Sequence, residues 1–366
     1  MRKQFMSEGR IFNFSAGPAV LPEEVLRQAQ EDIWNIAGSG IGILEHSHRG
    51  KVFDAIIDET EANCRKLANI SDDYHVLFLQ GGATMQFGMI PMNFMQGKTA
   101  DYIHTGVWTK KAMEEARLFG TVNMAYDGTA SKFAYIPEES EIVYNDDAEY
   151  VFYCSNNTIY GTEWKRIPAA TKPLICDTSS DMFSRPIDVS KHALIFAGAQ
   201  KNLGPAGCTL IILHKAFMEK ARTGLPVMLD YRKQAAEKSM LNTPPTFAIY
   251  LMGLTFKWLL ANGGLEAVEQ RNEEKAAIIY DAIDGSNGYY GAVARKDSRS
   301  LMNINFRTPN PDLDKKFIAE ALAAGMSGLK GHRSVGGLRA SVYNAFPKAG
   351  CEALAQFMAD FKARNG

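Results

Sequence analysis

Two residues, Lys201 and Asp177, each stand at the end of a short apolar run and carry groups that could do chemistry together. Lys201 lies in Gly198-Ala199-Gln200-Lys201-Asn202-Leu203-Gly204, after the apolar residues Ala193 to Phe196. Glycines on both sides would let the backbone approach a flat ligand closely. An amine so placed can condense with an aldehyde and later move a proton at a substrate α-carbon. On position alone it could also be a solvated loop lysine. Asp177 ends Pro173-Leu174-Ile175-Cys176. A carboxylate there can keep a pyridinium nitrogen protonated and so make the ring an electron sink. It could equally cap the turn Thr178-Ser179-Ser180.

The remaining candidates suit anions and a planar ring. Gly81-Gly82-Ala83-Thr84 joins an apolar run to a helical pattern, which leaves main-chain N–H groups free for a phosphate at the positive end of a helix dipole. Its spacing is not the G-x-G-x-x-G of dinucleotide folds. Trp108 could stack on a ring or simply fill the core. Ser47-His48-Arg49-Gly50 and Gly331-His332-Arg333-Ser334-Val335-Gly336-Gly337-Leu338-Arg339 hold two His-Arg pairs and a further arginine in glycine-rich stretches. A guanidinium offers a planar fork to phosphate or carboxylate. His46 and His48 fit no metal-ligand spacing, so no metal is expected.

These residues need a scaffold that brings strand ends together. A helix is predicted over Pro22–Ala37, with Val25, Leu26, Ala29, Ile33 and Trp34 on one stripe. A second is predicted over Val52–Leu67, with Phe53, Ile56, Ile57, Thr60 and Cys64 inward. Strands are predicted at 75–79, 102–104, 121–125, 150–154, 174–176, 193–196 and 208–213, with helices from near Met85 and over 109–119. This alternation predicts an α/β fold with a mainly parallel sheet covered on both faces. Open parallel sheets place ligands at the carboxyl ends of their strands, where Asp177 and Lys201 fall. Past Gly263 the pattern changes to a charged helix over 265–284, a strand over 301–306, a helix over 312–324, strand-like segments over 326–343 and a final helix. Two domains are therefore expected: residues 1–263 as a large domain, with an N-terminal segment free to pack elsewhere, and 264–366 as a small α+β domain.

The bulk numbers narrow the class further. The 366 residues are 46% hydrophobic and 22% charged, as in an ordinary globular protein. A net charge of −1 gives no overall field to gather nucleic acid or an anionic membrane. No apolar run approaches the ~20 residues that span a bilayer, and the polar stretch Met1–Arg10 lacks the apolar core of a secretory signal. Cys64, Cys154, Cys176, Cys208 and Cys351 are scattered without a C-x-x-C pair, which points to reduced thiols and a cytoplasmic location.

With those residues assembled, the chain resembles the phosphoserine aminotransferase family, fold-type-I pyridoxal-phosphate (PLP) enzymes of the class V group. The likeness runs from Asn13-Phe14-Ser15-Ala16-Gly17-Pro18 to Arg339-Ala340-Ser341-Val342-Tyr343-Asn344-Ala345. Its most specific stretches are Ser47–Gly50, Ala197–Gly207 and Gly331–Gly337. The resemblance implies that Lys201 carries PLP covalently and that Asp177 pairs with its pyridine nitrogen. It implies that Trp108 stacks on the ring, Thr158 bonds its phenolic oxygen, and Gly82, Ala83 and Gln200 hold its phosphate. Asn242 and Thr243 would reach that phosphate from a neighbouring subunit, making a homodimer with shared sites. Arg339 would take the substrate α-carboxylate, and His48, Arg49, His332 and Arg333 its phosphate or the side-chain carboxylate of glutamate.

The implied reaction moves an amino group from L-glutamate to 3-phosphohydroxypyruvate, giving 2-oxoglutarate and O-phospho-L-serine for serine biosynthesis. A four-carbon phosphorylated keto acid used in pyridoxine biosynthesis is a further substrate the family suggests. Two other readings remain at this stage. One is another class V-like PLP enzyme, such as an alanine–glyoxylate aminotransferase or a cysteine desulfurase, the latter needing a nucleophilic cysteine on a mobile loop. The other is a non-catalytic PLP-fold binding protein, which would be free to lose Lys201, Asp177 or the arginines.

Overall fold

The computed structural model describes residues 9–366, so the polar stretch Met1–Glu8 lies outside the described residues. Its centre is a seven-stranded sheet of β1 (Tyr74–Leu79), β2 (Thr99–His104), β3 (Thr121–Asp127), β4 (Ala148–Cys154), β5 (Leu174–Asp177), β6 (Leu194–Gly198) and β7 (Thr209–His214). The spatial order is β1-β7-β6-β5-β4-β2-β3. Only β7 runs antiparallel, to both β1 and β6; the other pairings are parallel. Side chains alternate between faces: Val151 and Tyr153 enter one apolar core while Tyr150 and Phe152 enter another. Both faces are therefore covered over the inner strands, which read as apolar runs, whereas the edge strand β3 is largely exposed.

Helices α1 (Glu23–Trp34), α2 (Lys51–Ala68), α3 (Gly82–Phe94) and α4 (Val107–Ala116) follow the expected order. The first is shorter than its periodicity predicts. Asn35 is extended, and a 3-10 turn at Ile36–Gly38 follows. Val25 and Ala29 are buried, but Ile33 and Trp34, placed on the inward stripe by spacing, are 45% and 85% exposed. The helix ends at Trp34, so the side chains of its last turn lie beyond the surface that Val25 and Ala29 cover.

Helix α5 (Thr246–Ala261) has no counterpart in the sequence analysis. It is apolar on nearly all sides, so it carries no polar face from which a 3.6-residue period could be read. It packs along α2, and Gly253 has no room for a side chain because Thr60 occupies that space.

Beyond Gly263 come α6 (Gly264–Asp284), β8 (Gly291–Ala292), β9 (Asn303–Arg307), α7 (Pro311–Ala323), β10 (Leu338–Ser341) and α8 (Lys348–Asn365). Strands β8, β9 and β10 form an antiparallel sheet, with Asn305 opposite Arg339. A third apolar core gathers around Phe306, Phe317 and Phe361, and Phe12, Phe14 and Val20 enter it from the N-terminal segment. Phe12–Asn13 also pairs in parallel with Met326–Ser327. Among the described residues no helix is long and apolar enough to cross a membrane.

Candidate active site

Five strands deliver side chains to one edge of the central sheet, as open parallel sheets do at their carboxyl ends. Gly82, Ala83 and Thr84 follow β1, Trp108 follows β2, and Asn156 and Thr158 follow β4. Asp177 and Ser179 come from the end of β5, and Gln200 and Lys201 from the loop after β6. They line a cleft of about 310 Å³, completed by Ala16 and Gly17 and by His332 and Arg339. The register fixes the floor, since Cys154 lies opposite Asp177 and Asp177 opposite Phe196.

Lys201 is 8% exposed, and its Nζ donates to Thr158 Oγ1 at 3.1 Å. The same Nζ stands 5.7 Å from the centroid of the Trp108 ring. Burial lowers the proton affinity of this amine, the buried Asp177 carboxylate raises it, and Arg339 lowers it. Asp177 is buried, and its Oδ1 accepts the Ser179 N–H at 2.9 Å. Burial raises its pKa, while the Ser179 hydrogen bonds and the Lys201 charge lower it. Ser179 in turn accepts the Gly198 N–H at 3.0 Å on Oγ, which ties the end of β5 to the end of β6.

The anion-binding features are equally specific. Gly81, at φ +93°, turns the chain into α3, whose first N–H groups have no side-chain cap. Left-handed backbone of this kind favours glycine, and a Cβ here would strike Met85. The free N–H groups and the helix dipole then face the cleft together. Arg339, which also lines the cleft, has a buried Nε with no hydrogen-bond partner among the described residues. Burial lowers its pKa, and Tyr343 opposes that shift. His332 bonds Ser334 Oγ at 2.7 Å through Nδ1, and burial together with Arg339, Arg333 and Lys111 disfavours its protonation.

A buried amine beside a carboxylate, an aromatic ring over them, uncapped helix N–H groups and an unpaired guanidinium fit a flat phosphorylated cofactor and a carboxylate substrate. The aminotransferase class-V family model matches residues 11–354. The chain belongs to the class-V aminotransferases. It is 52% identical to a phosphoserine aminotransferase of Desulfotalea psychrophila, over 97% of this chain and 99% of that one. The solved phosphoserine aminotransferase of Bacillus circulans subsp. alkalophilus is 47% identical, with a TM-score of 0.96 over 98% of this chain and 99% of that one. A PLP-bound phosphoserine aminotransferase from Trichomonas vaginalis is 40% identical, with a TM-score of 0.90 over 96% and 100%.

Within this class-V chain, nine of the residues singled out by sequence meet in the cleft: Gly82, Ala83, Trp108, Thr158, Asp177, Gln200, Lys201, His332 and Arg339. His48, Arg49, Arg333, Asn242 and Thr243 do not line it in a single chain. Arg49 and Arg333 are exposed. Asn242 and Thr243 lie beside Gln80, which donates to the Thr243 carbonyl at 2.9 Å.

Sequence reasoning missed Ser179, Asn156 and the Ala16-Gly17 backbone as cleft residues. The available signal was position, because Asn156 and Ser179 each follow an apolar strand by two residues. All five cysteines are buried and unpaired. Burial pushes every one of their thiols up, Cys208 and Cys351 to about 12. Among the described residues no three His, Cys, Asp or Glu side chains cluster as metal ligands.

Proposed function

We propose that this chain is a PLP-dependent phosphoserine aminotransferase that moves the amino group of L-glutamate to 3-phosphohydroxypyruvate, yielding O-phospho-L-serine in serine biosynthesis. The observation that carries the reading is the pairing of buried Lys201 and Asp177 with an unpartnered Arg339 across one cleft. Lys201 would hold the cofactor, Asp177 its ring nitrogen and Trp108 its ring face. Thr158 would bond its phenolic oxygen, and Gly82, Ala83 and Gln200 would hold its phosphate. When bound, PLP supplies an aldehyde that takes the amino group and a ring that accepts the electron pair of the broken Cα–H bond. Once a substrate amine has displaced it from the cofactor, Lys201, its proton affinity lowered by burial, would be the group that takes the α-proton and returns it at C4′. Arg339 holds the α-carboxylate common to both amino substrates. His48, Arg49, His332 and Arg333 receive the phosphate, or the distal carboxylate of glutamate.

A homodimer with shared sites completes this picture. Asn242, Thr243, His48 and Arg49 stand outside the cleft of their own chain and would act from the partner subunit. Ile33, Trp34, Ile41 and Leu44 are exposed in the segment that leads to His48, as expected of a surface that another chain covers. The chain divides into a large domain, 1–263, whose N-terminal strand packs with the small domain, and a small domain, 264–366. Five reduced, buried cysteines support a cytoplasmic location. The same anion pocket suits the four-carbon phosphorylated keto acid of pyridoxine biosynthesis. A cysteine desulfurase is disfavoured because no cysteine is exposed.

The test is the visible spectrum of the PLP-loaded protein, titrated separately with O-phospho-L-serine and L-serine. The expected result is bleaching of the cofactor band at far lower phosphoserine than serine concentration. Equal bleaching would leave PLP chemistry but remove the phosphorylated substrate. A protein that shows no band after PLP is added would remove the whole reading.

A further inference from the structure

The loop that leaves β10 just beyond Arg339 is fastened by a buried lysine that does not touch the cleft. Lys275, on α6, is 3% exposed. Its Nζ donates to the carbonyls of Val342 at 3.0 Å, Tyr343 at 2.7 Å and Asn344 at 3.4 Å. An ammonium has three N–H donors, and these three carbonyls match them. Burial lowers its pKa to about 7, and among the described residues no carboxylate is a hydrogen-bond partner, so the three carbonyls are what stabilise its charged form. An apolar side chain would fill the same space but leave three buried carbonyls without that donor.

What Lys275 fastens is connected to both halves of the chemistry. Arg339 lies on the strand immediately before Val342. On the other side, the Asn344 N–H donates to Asn202 Oδ1 at 3.0 Å, and Asn202 directly follows Lys201. Asn344 also donates to the Phe183 carbonyl through Nδ2 at 2.8 Å. Its Oδ1 accepts from Asn272 Nδ2 at 2.9 Å, one turn before Lys275 on the same helix. A single polar junction therefore spans α6, the strand that bears Arg339, and the loop that bears Lys201.

We propose that Lys275 is a positioning residue for the reaction: through Val342–Asn344 it sets the guanidinium of Arg339 against the amine of Lys201. This rests on the reading of Arg339 as the partner of the substrate α-carboxylate. The role requires precision, since a displacement of about 1 Å in a binding group can cost on the order of a hundredfold. Lys275 itself meets neither substrate nor cofactor.

The experiment uses the PLP-loaded enzyme and the variants Lys275→Met, Arg339→Ala and their double. Each is titrated with O-phospho-L-serine and with O-phosphoethanolamine, which has the phosphate and amine but no α-carboxylate. Lys275→Met is expected to retain its cofactor band and to bind phosphoserine roughly tenfold or more weakly. Phosphoethanolamine binding should stay within roughly twofold, and adding Lys275→Met to Arg339→Ala should cost no more than that. Equal loss for both amines, or an undiminished loss in the Arg339→Ala background, would overturn the proposal and leave Lys275 a general stabiliser. An unchanged affinity in Lys275→Met would also overturn it. Failure of the carboxylate reading is distinct, because Arg339→Ala alone would then bind phosphoserine normally. Should Lys275→Met not fold, Asn272→Ala loosens the same junction through Asn344, and the same contrast between the two amines decides.

Discussion

Replacing Arg339 with alanine tests the assembled site most directly. In the structure its Nε is buried without a partner, and its charge is felt at both Lys201 and His332. A substrate carboxylate would complete that guanidinium, so truncation leaves the carboxylate in the cleft unpaired. Loss of one member of a desolvated charged pair costs about 2–5 kcal/mol. Part of Arg339 reaches solvent, which favours the lower part of that range, about 2–3.5 kcal/mol. At about 1.4 kcal/mol per tenfold, this is roughly a thirty- to three-hundredfold loss. The assay is the single-turnover half-reaction, followed at the cofactor band, with glutamate and with phosphoserine. Both carry the same α-carboxylate, so both should lose efficiency by a similar factor. Arg339→Lys keeps the charge without the planar fork and should lose less. Efficiency retained within roughly threefold, or a loss confined to one substrate, would refute the reasoning.

Other perturbations separate the remaining roles. Lys201→Ala should abolish turnover while cofactor still binds without a covalent link; sustained turnover in a stopped-flow assay would remove its assignment. Arg333→Ala and Arg49→Ala should impair phosphoserine far more than L-serine, because only phosphoserine brings a phosphate, and equal effects on the two substrates would exclude a phosphate role. In the cofactor-free protein, Arg339→Ala should shift the pH dependence of PLP uptake upward, since Arg339 lowers the proton affinity of Lys201 and uptake needs the neutral amine. Arg185→Leu strips the cation from buried Asp181, leaves buried Glu163 with Lys165 alone, and should cost about 3–5 kcal/mol in urea unfolding. Burial already raises the Asp181 carboxyl to about 6, and Arg185 opposes that rise. The acid form is therefore favoured in the variant, and its deficit should shrink as pH falls from 8 toward 5.5; a constant deficit would exclude Asp181 as its source.

Much of this protein could be read from its chain. Apart from the largely exposed edge strand β3, the strands of the central sheet are buried on both faces, so most appear as apolar runs, and the ligand-bearing residues follow those runs directly. That proximity made Asp177 and Lys201 candidates, and the resemblance carried by the stretch Ala197–Gly207 set them apart from a turn cap and a solvated loop lysine. The glycine turn before α3 was legible for a similar reason, since its backbone needs a left-handed conformation. Helix α5 was not legible, because a helix buried on nearly all sides shows no period. The outward turn of Ile33 and Trp34 was hidden too, as spacing along a helix does not say where the helix stops.

What tertiary structure alone decided are relations between segments far apart in the sequence. The antiparallel place of β7 depends on its pairing with β1, more than a hundred residues earlier, as well as with its near neighbour β6. The meeting of Arg339 with Lys201 depends on the third core docking against the sheet edge, and on Asn202, Asn344 and Lys275 meeting at one junction. No local pattern encodes such a meeting, because lone asparagines and a lysine on a charged helix look like solvated residues until the fold buries them. The sequence by itself determined which groups could do chemistry and which strands would carry them. Packing decided their distances, their desolvation and therefore their proton affinities, since those depend on every neighbour in space.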